Sequence, residues 1–467
     1  LANPQLFHFP PDLEAPFTGT RGLRFSDGST VASADIWKFM TGEGMRRFPR
    51  AYQKGAQMIG QISEDVGFFS GVKHKYLSLT LRDRIEKARE NGTPVVMVQG
   101  GQSFEPYFAA GAIALRPGFI ISWARDKEEG LDARSSDWRG MTFLEKGHRD
   151  VGIETCHQIA AHAAVEEGVV DVDLIAPYLC LRCSDMAYLV ESHRHGKRQL
   201  PLQLIDFPVD NPRTSPRAVN LLSRELRRLV ANIGKITGRP IGDDTLAEEI
   251  KRFNKTRRLA REFEETWQST DIPPTNSIDL RSFSQAVCEP MGDVTAILDL
   301  LEQAVTEVKE RVAQGIRGKG IVSDPARVYV CGSCVTANPT LVDGAGGVIV
   351  GHDDQWSAGF FDIPENGDPF VNLATGILSQ PYEQSTLERA KWTAAEVKRT
   401  RAEGLMFIYN WGCSYQSSIA RMVADIVKQE TGVPTLVMSV GELSKSEATE
   451  QSQNRVEAFI ELLRYNR

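Results

Sequence analysis

From Thr93 the chain reads TPVVMVQGG, a short apolar run closed by two glycines, then EPYFAAGAIAL with helical spacing, then a second apolar run, FIISWA. Apolar runs of about four to eight residues bounded by turn residues predict buried strands, whereas apolar positions recurring every three or four residues predict one face of a helix. The segment therefore predicts a β-α-β unit. The alternation continues with a helical stretch from Cys156 to Glu167, the run DLIAPYL ending at Cys180, a helix near Asp185 to Arg194, and LPLQLIDFP. Strands that read as unbroken apolar runs are covered on both faces, so this pattern predicts a parallel sheet with helices on either side.

The pattern before and after this unit differs. Up to about residue 90 there is Pro and Gly punctuation, then mixed helical periodicity after Ala34 that includes Leu77 to Arg89. From Ser215 to about Val312 the chain carries long, charged, helix-periodic segments broken at Gly238-Arg239-Pro240. Strand-like runs then return as ARVYVCGS, GGVIVGHDD, GLMFIYNWG and VPTLVMSVG, each followed by glycine or a helix. The predicted fold is α/β, with two doubly wound parallel-sheet domains joined by a helical segment and preceded by a helical region. The boundaries fall at 1–90, 91–214, 215–324 and 325–467.

Composition narrows the function classes. With 467 residues, 41% of them hydrophobic, the chain can fill more than one core. A net charge of −7 offers no positive field for nucleic acid or an anionic bilayer. No apolar run reaches the roughly 18 to 20 residues that span a membrane, and LANPQLFHFPPDLEAPF lacks a charged stretch followed by an apolar one, so the expected location is cytoplasmic.

Seven cysteines, an odd number in a chain without an export signal, point to metal or redox chemistry rather than a disulfide framework. Cys180 follows DLIAPYL and Cys413 follows LMFIYN, which places both at the carboxyl ends of strands, where open parallel sheets bind ligands. Cys156 opens a helical run, where unpaired N–H groups favour a thiolate or an anionic cluster. Cys183 forms C-x-x-C with Cys180, and Cys331 with Cys334. A structural zinc site is the competing reading, but the two pairs lie in different α/β units and leave Cys156 and Cys413 over. Cys288, in an apolar helical setting, reads as core, and Cys183, Cys331 and Cys334 either as packed or free thiols or as groups in cluster ligation or redox chemistry. His193 and His195 lie in the charged helix end SHRHGKRQ and read as solvated surface. His352-Asp353-Asp354 is either a turn or a strand end facing the cleft between domains. Trp356, Phe360 and Phe361 either wall an acyl pocket or pack in the core.

The ordered set VMVQGGQSFEPYFAAGAIALRPGF, DLIAPYLCLRCSDMAYLV, LPLQLIDFPVDNP, TGRPIGDDTLAEEIKRFNKTRRLAREF, GGVIVGHDDQWSAGFF, ENGDPFVNLATGIL and GLMFIYNWGCSYQSSIARMVADIVKQETGVPTLVMSVGEL resembles subunits of the 2-hydroxyacyl-CoA dehydratases and the related ATP-dependent benzoyl-CoA reductases. The resemblance implies that Cys156, Cys180 and Cys413 bind a 4Fe-4S cluster with one iron free of cysteine. The implied enzyme passes single low-potential electrons to an acyl-CoA thioester, for ketyl-radical dehydration (a lyase) or aromatic ring reduction (an oxidoreductase). Implied partners are a homologous second subunit, forming a heterodimer, and an ATP-hydrolysing iron–sulfur activator. The chain has no GxxxxGK[ST], in keeping with an ATP step on a partner. Ser103 and Glu105 in the early turn, His157 beside Cys156, and His352 are the candidate catalytic groups.

This chain departs from the family pattern in two places. Many members carry a further cysteine in the early turn, where this chain has Gln99 to Ser103, leaving Gln102 or Ser103 as a candidate oxygen ligand. A lysine-rich stretch after the middle cysteine is replaced by LRCSDMAY. Two alternatives to the catalytic subunit stay open: a non-catalytic cluster-binding scaffold of such a heterodimer, and a cluster reductase that does not act on CoA thioesters.

Overall fold

The computed structural model describes residues 7–52, 62–99, 103–128, 157–179, 185–194, 196, 198–238, 241–332, 339–354, 361–410, 413–440 and 450–467. An antiparallel hairpin, β1 (Leu23–Arg24) and β2 (Thr30–Val31), lies in the N-terminal region. The first parallel sheet contains β3 (Val95–Gln99), β4 (Ile113–Leu115), β5 (Leu174–Leu179) and β6 (Ile205–Asp206) in the order β4-β3-β5-β6. The second contains β7 (Ala326–Gly332), β8 (Gly347–Asp353), β9 (Gly404–Asn410) and β10 (Thr435–Val440) in the order β10-β9-β7-β8.

Numbered within its own unit, each sheet runs 2-1-3-4, all parallel. The two halves are therefore topological copies, a relation that the strand patterns do not announce. In each copy the direction of winding reverses between strands 1 and 3, which opens a crevice at their carboxyl ends. Those ends are Gln99 and Leu179 in the first unit, and Gly332 and Asn410 in the second.

All four strand runs expected in the second unit form. The first unit differs in one place: the run FIISWA lies inside the helix Pro117–Glu128, and the strand is Ile113–Leu115 just before it. Periodicity cannot separate a short buried strand from a buried helical segment. Here the punctuation decides. Gly111, at φ +70°, closes the preceding helix after one turn and a half, and Pro117 supplies a residue preset for a helix start.

The expected helical segment consists of Pro216–Thr237, Asp243–Gln268, Ser277–Ser284 and Val294–Ala313. Ser215 caps the first by accepting from the N–H of Ala218 at 3.1 Å, and Gly238 ends it in the left-handed conformation at φ +67°. Asp243–Gln268 is more than a spacer, because its buried side chains reach both units. Arg257 bonds Glu105 in the helix after β3, while Gln268 Nε2 donates to the Val350 carbonyl of β8 at 2.7 Å. The same helix buries Phe253, Phe263 and Trp267. It acts as a shared spine. The N-terminal region packs on Val294–Ala313, where Arg24 Nη2 meets Asp299 Oδ1 at 2.8 Å.

Among the described residues no helix is long and apolar enough to cross a membrane.

Candidate functional site

Cys413 is the residue immediately before the helix Ser414–Thr431, three positions after the end of β9, and it is half-buried. It thus sits beside the winding reversal of the second sheet, at a helix N-terminus whose dipole favours an anionic sulfur. The equivalent strand of the first unit, β5, ends at Leu179, so Cys180 follows it directly in sequence. The helix His157–Glu166 begins one residue after Cys156. Cys156, Cys180, Cys183 and Cys334 themselves lie outside the described residues, as do Gln102, His195, Trp356 and Phe360. Among the described residues, Leu179 ends a strand directly before Cys180, and His157 and Ser414 begin helices directly after Cys156 and Cys413; thiols are the usual donors of iron–sulfur clusters.

Beneath Cys413 lies a buried network that holds the sheet's carboxyl edge. Arg389, on the helix Thr386–Arg399, is 1% exposed, and its Nε donates to Asp353 Oδ2 at 2.7 Å. Its Nη2 donates to the carbonyls of Gly332 at 2.8 Å and Asp353 at 3.2 Å, tying the ends of β7 and β8 together. Its Nη1 donates to Gln416 Oε1 at 3.4 Å, and Gln416 Nε2 donates to the Tyr382 hydroxyl at 2.9 Å. Gln416 is in the first turn of the helix that Cys413 precedes. One guanidinium therefore couples β7, β8 and the start of that helix. Burial by itself would lower Arg389, but the Asp353 carboxylate, with Cys331 and Tyr382 beside it, outweighs that and holds the guanidinium charged.

Cys331 belongs to this network and not to the crevice. It is fully buried, its Sγ donates to Asp353 Oδ2 at 3.4 Å, and burial pushes its thiol well above the ordinary range despite nearby Arg389. A protonated, enclosed thiol is a packing group, the first of the two readings open to it. Cys288 likewise lies in the core at 2% exposure.

In the first unit, Ser103 stands between β3 and the helix Glu105–Ala109, partly exposed. Glu105 is fully buried and bonded by Arg257 Nη2 at 2.5 Å. Asn254 fixes Arg257 in turn, accepting from its Nη1 at 3.0 Å and donating to the Ile363 carbonyl at 2.7 Å. Glu105 Oε2 meets no hydrogen-bond donor among the described residues. His157 opens its helix. His352 lies within β8 and is 4% exposed, with no hydrogen bond to either ring nitrogen among the described residues. Its neighbour in charge is Glu264 on the spine helix, whose carboxyl burial raises and His352 partly lowers. Phe361 is 40% exposed.

The expectation that His193 is solvated is wrong: it is 5% exposed. The charged residues around it suggested a surface, but the helix Asp185–Arg194 carries His193 on the same buried face as Met186 and Leu189, against His157–Glu166, where the Leu200 carbonyl lies 2.6 Å from its Nε2. Arg257, Arg389 and Gln416 carry no sequence signal, since arginines on charged helices usually face water. His162 and Glu166 did carry one, an i, i+4 pair on a predicted helix.

Residues 144–463 match the family model described as 2-hydroxyglutaryl-CoA dehydratase, D-component. The chain is also 24% identical, over 205 residues, to a benzoyl-CoA reductase subunit of Thauera aromatica; the match covers 40% of this chain and 49% of that relative. The chain therefore spans about half the length of the curated relative it matches.

Proposed function

Because the chain belongs to the 2-hydroxyglutaryl-CoA dehydratase D-component family, we propose that it is the iron–sulfur subunit of a two-subunit enzyme acting on an acyl-CoA thioester. Cys156, Cys180 and Cys413 would hold one 4Fe-4S cluster. The observation that carries this reading is the repeated 2-1-3-4 sheet: Cys180 and Cys413 follow the same strand, the third, of two topologically equivalent units. The ends of those strands, Leu179 and Asn410, stand at the winding reversal of their own sheets, the general ligand position of such folds.

When bound, the cluster supplies single electrons at a potential set by burial, net charge and hydrogen bonds to sulfur. The chain's own residues set the frame for that group. Arg389, Asp353 and Gln416 fix the start of the helix behind Cys413 against the ends of β7 and β8. The Arg257–Glu105 pair does the corresponding work in the first unit, locking the helix Glu105–Ala109 to the spine helix. Ser103 stands just before that helix and is partly exposed. Glu105, by contrast, is a positioning residue: it is fully buried and its Oε1 is held by Arg257. His157, adjacent to Cys156, and His352, near the end of β8, are the remaining candidates for proton transfer. We assign the two α/β units to 91–214 and 325–467, the helical spine region to 215–324, a homologous subunit as partner, and a separate ATP-hydrolysing activator as electron source.

Iron and acid-labile sulfide analysis of anaerobically purified protein, with electron paramagnetic resonance after reduction, tests the reading. The expected result is about four of each per chain, lost on Cys413→Ala. Protein that takes up neither iron nor sulfide, alone or with its partner subunit, refutes it.

A further inference from the structure

A second metal position stands apart from the cysteines. His162 Nε2, Glu166 Oε1 and His193 Nδ1 converge, all within 4.8 Å of one another. The separations are 3.3 Å between the two imidazoles, 3.7 Å from His162 to Glu166 and 3.8 Å from His193 to Glu166. A tetrahedral ion with bonds of about 2.0–2.2 Å spaces its ligand atoms about 3.3–3.6 Å apart. The triangle matches that spacing within a few tenths of an ångström. The side chains are only 2%, 10% and 7% exposed, in the order His162, Glu166, His193.

Three details orient the donors. His193 Nε2 lies 2.6 Å from the Leu200 carbonyl, which can only accept, so in the neutral ring Nε2 carries the proton and Nδ1 turns its lone pair to the centre. Glu166 Oε2 accepts from the Arg198 N–H at 3.0 Å, which fixes the carboxylate plane. Glu166 Oε1 is buried and accepts no hydrogen bond among the described residues. A hydrogen-bonded His–His pair therefore leaves one buried carboxylate oxygen unserved, whereas a cation at the centre serves all three atoms. Gly196 makes room for the arrangement, since a Cβ there would meet Glu166 Oε1 at 2.7 Å.

We propose that His162, Glu166 and His193 bind a divalent transition-metal ion of the zinc type, with water in the fourth position. The ion staples the helix His157–Glu166 to the helix Asp185–Arg194. In sequence, the first of these begins one residue after Cys156 and the second five residues after Cys180, so the staple braces the supports of both cysteines. The site does not depend on the cluster reading.

The test is zinc analysis of the full chain, together with titration of metal-free protein with Co(II), on wild type, Glu166→Gln and His193→Ala. Wild type should hold one zinc per chain and give the visible absorption of tetrahedral Co(II) without thiolate-to-metal charge transfer. Glu166→Gln, which preserves shape, should weaken binding at least about 10–100-fold, the loss that second-shell changes alone produce. Absence of the Co(II) spectrum in wild type overturns the proposal even if a variant fails to fold. Unchanged binding in both variants, or a spectrum dominated by thiolate charge transfer, also overturns it. Loss of iron and sulfide with zinc retained would refute the cluster reading and leave this one standing.

Discussion

Replacing Arg389 with methionine removes the guanidinium from a site where it is 1% exposed and its partner Asp353 is fully buried. The change deletes the bond to Asp353 Oδ2, the bonds to the carbonyls of Gly332 and Asp353, and the bond to Gln416. Asp353 Oδ2 would keep only the Thr393 hydroxyl at 3.2 Å and the weak Cys331 thiol donor, while its Oδ1 already lacks a donor among the described residues. Leaving one member of a buried ion pair uncompensated costs about 3–5 kcal/mol, several times the worth of an exposed pair. Arg389→Lys should recover little, because an ammonium on a flexible stem cannot reproduce the planar fork that reaches two carbonyls and a carboxylate. Arg389→Met combined with Asp353→Leu should recover most of the loss, since an apolar pair of similar volume replaces a buried ion pair at little net cost. Urea unfolding of wild type, Arg389→Met, Asp353→Leu and the double variant forms a double-mutant cycle, with circular dichroism to follow any separate transition of the second unit. A loss below about 1 kcal/mol in Arg389→Met, or no recovery in the double variant, would refute the view that this pair holds the sheet edge.

Further outcomes follow from the same structure. Burial, only partly countered by Arg116, pushes Glu289 from 4.5 up to about 7, so the folded state holds its proton more tightly than the unfolded chain. Its contribution is complete below about pH 4.5 and lost as the pH rises to about 7, amounting to about 3 kcal/mol at most; the 19% of its side chain that stays exposed reduces this. Glu289→Gln should flatten the fall in urea midpoint between those pH values, and an unchanged slope would count against the assignment. Cys413→Ala should abolish iron and sulfide binding while Cys288→Ala leaves both intact; the reverse pattern would contradict the ligand set. Gly318→Ala should destabilise by about 2–3 kcal/mol through overpacking, because the new Cβ would lie 2.3 Å from the backbone carbon of Thr275; a neutral result in urea unfolding would show that this loop can shift.

The sequence alone determined the class of fold and the position of the strands in the second unit, because short, glycine-bounded apolar runs rich in β-branched and aromatic residues, such as VYVCG and LMFIYN, favour a sheet covered on both faces. It also determined that Cys180 and Cys413 follow strands, since strand ends are marked by the loss of apolar residues within the chain itself. Local information failed at FIISWA, where a short apolar run fits either a strand or a buried helix and only the geometry of Gly111 and Pro117 separates them. Tertiary structure decided the rest. Strand order depends on which edges meet across long separations, so the matching 2-1-3-4 sheets are invisible in the pattern. The buried ion pairs Glu105–Arg257 and Asp353–Arg389 join residues 152 and 36 positions apart on different elements. Charged side chains otherwise predict a surface, and they are buried here only because the fold delivers an opposite charge at hydrogen-bond distance. His193 was misread for the same reason: its partners, Leu200 and the face of His157–Glu166, reach it only after the chain has turned back on itself.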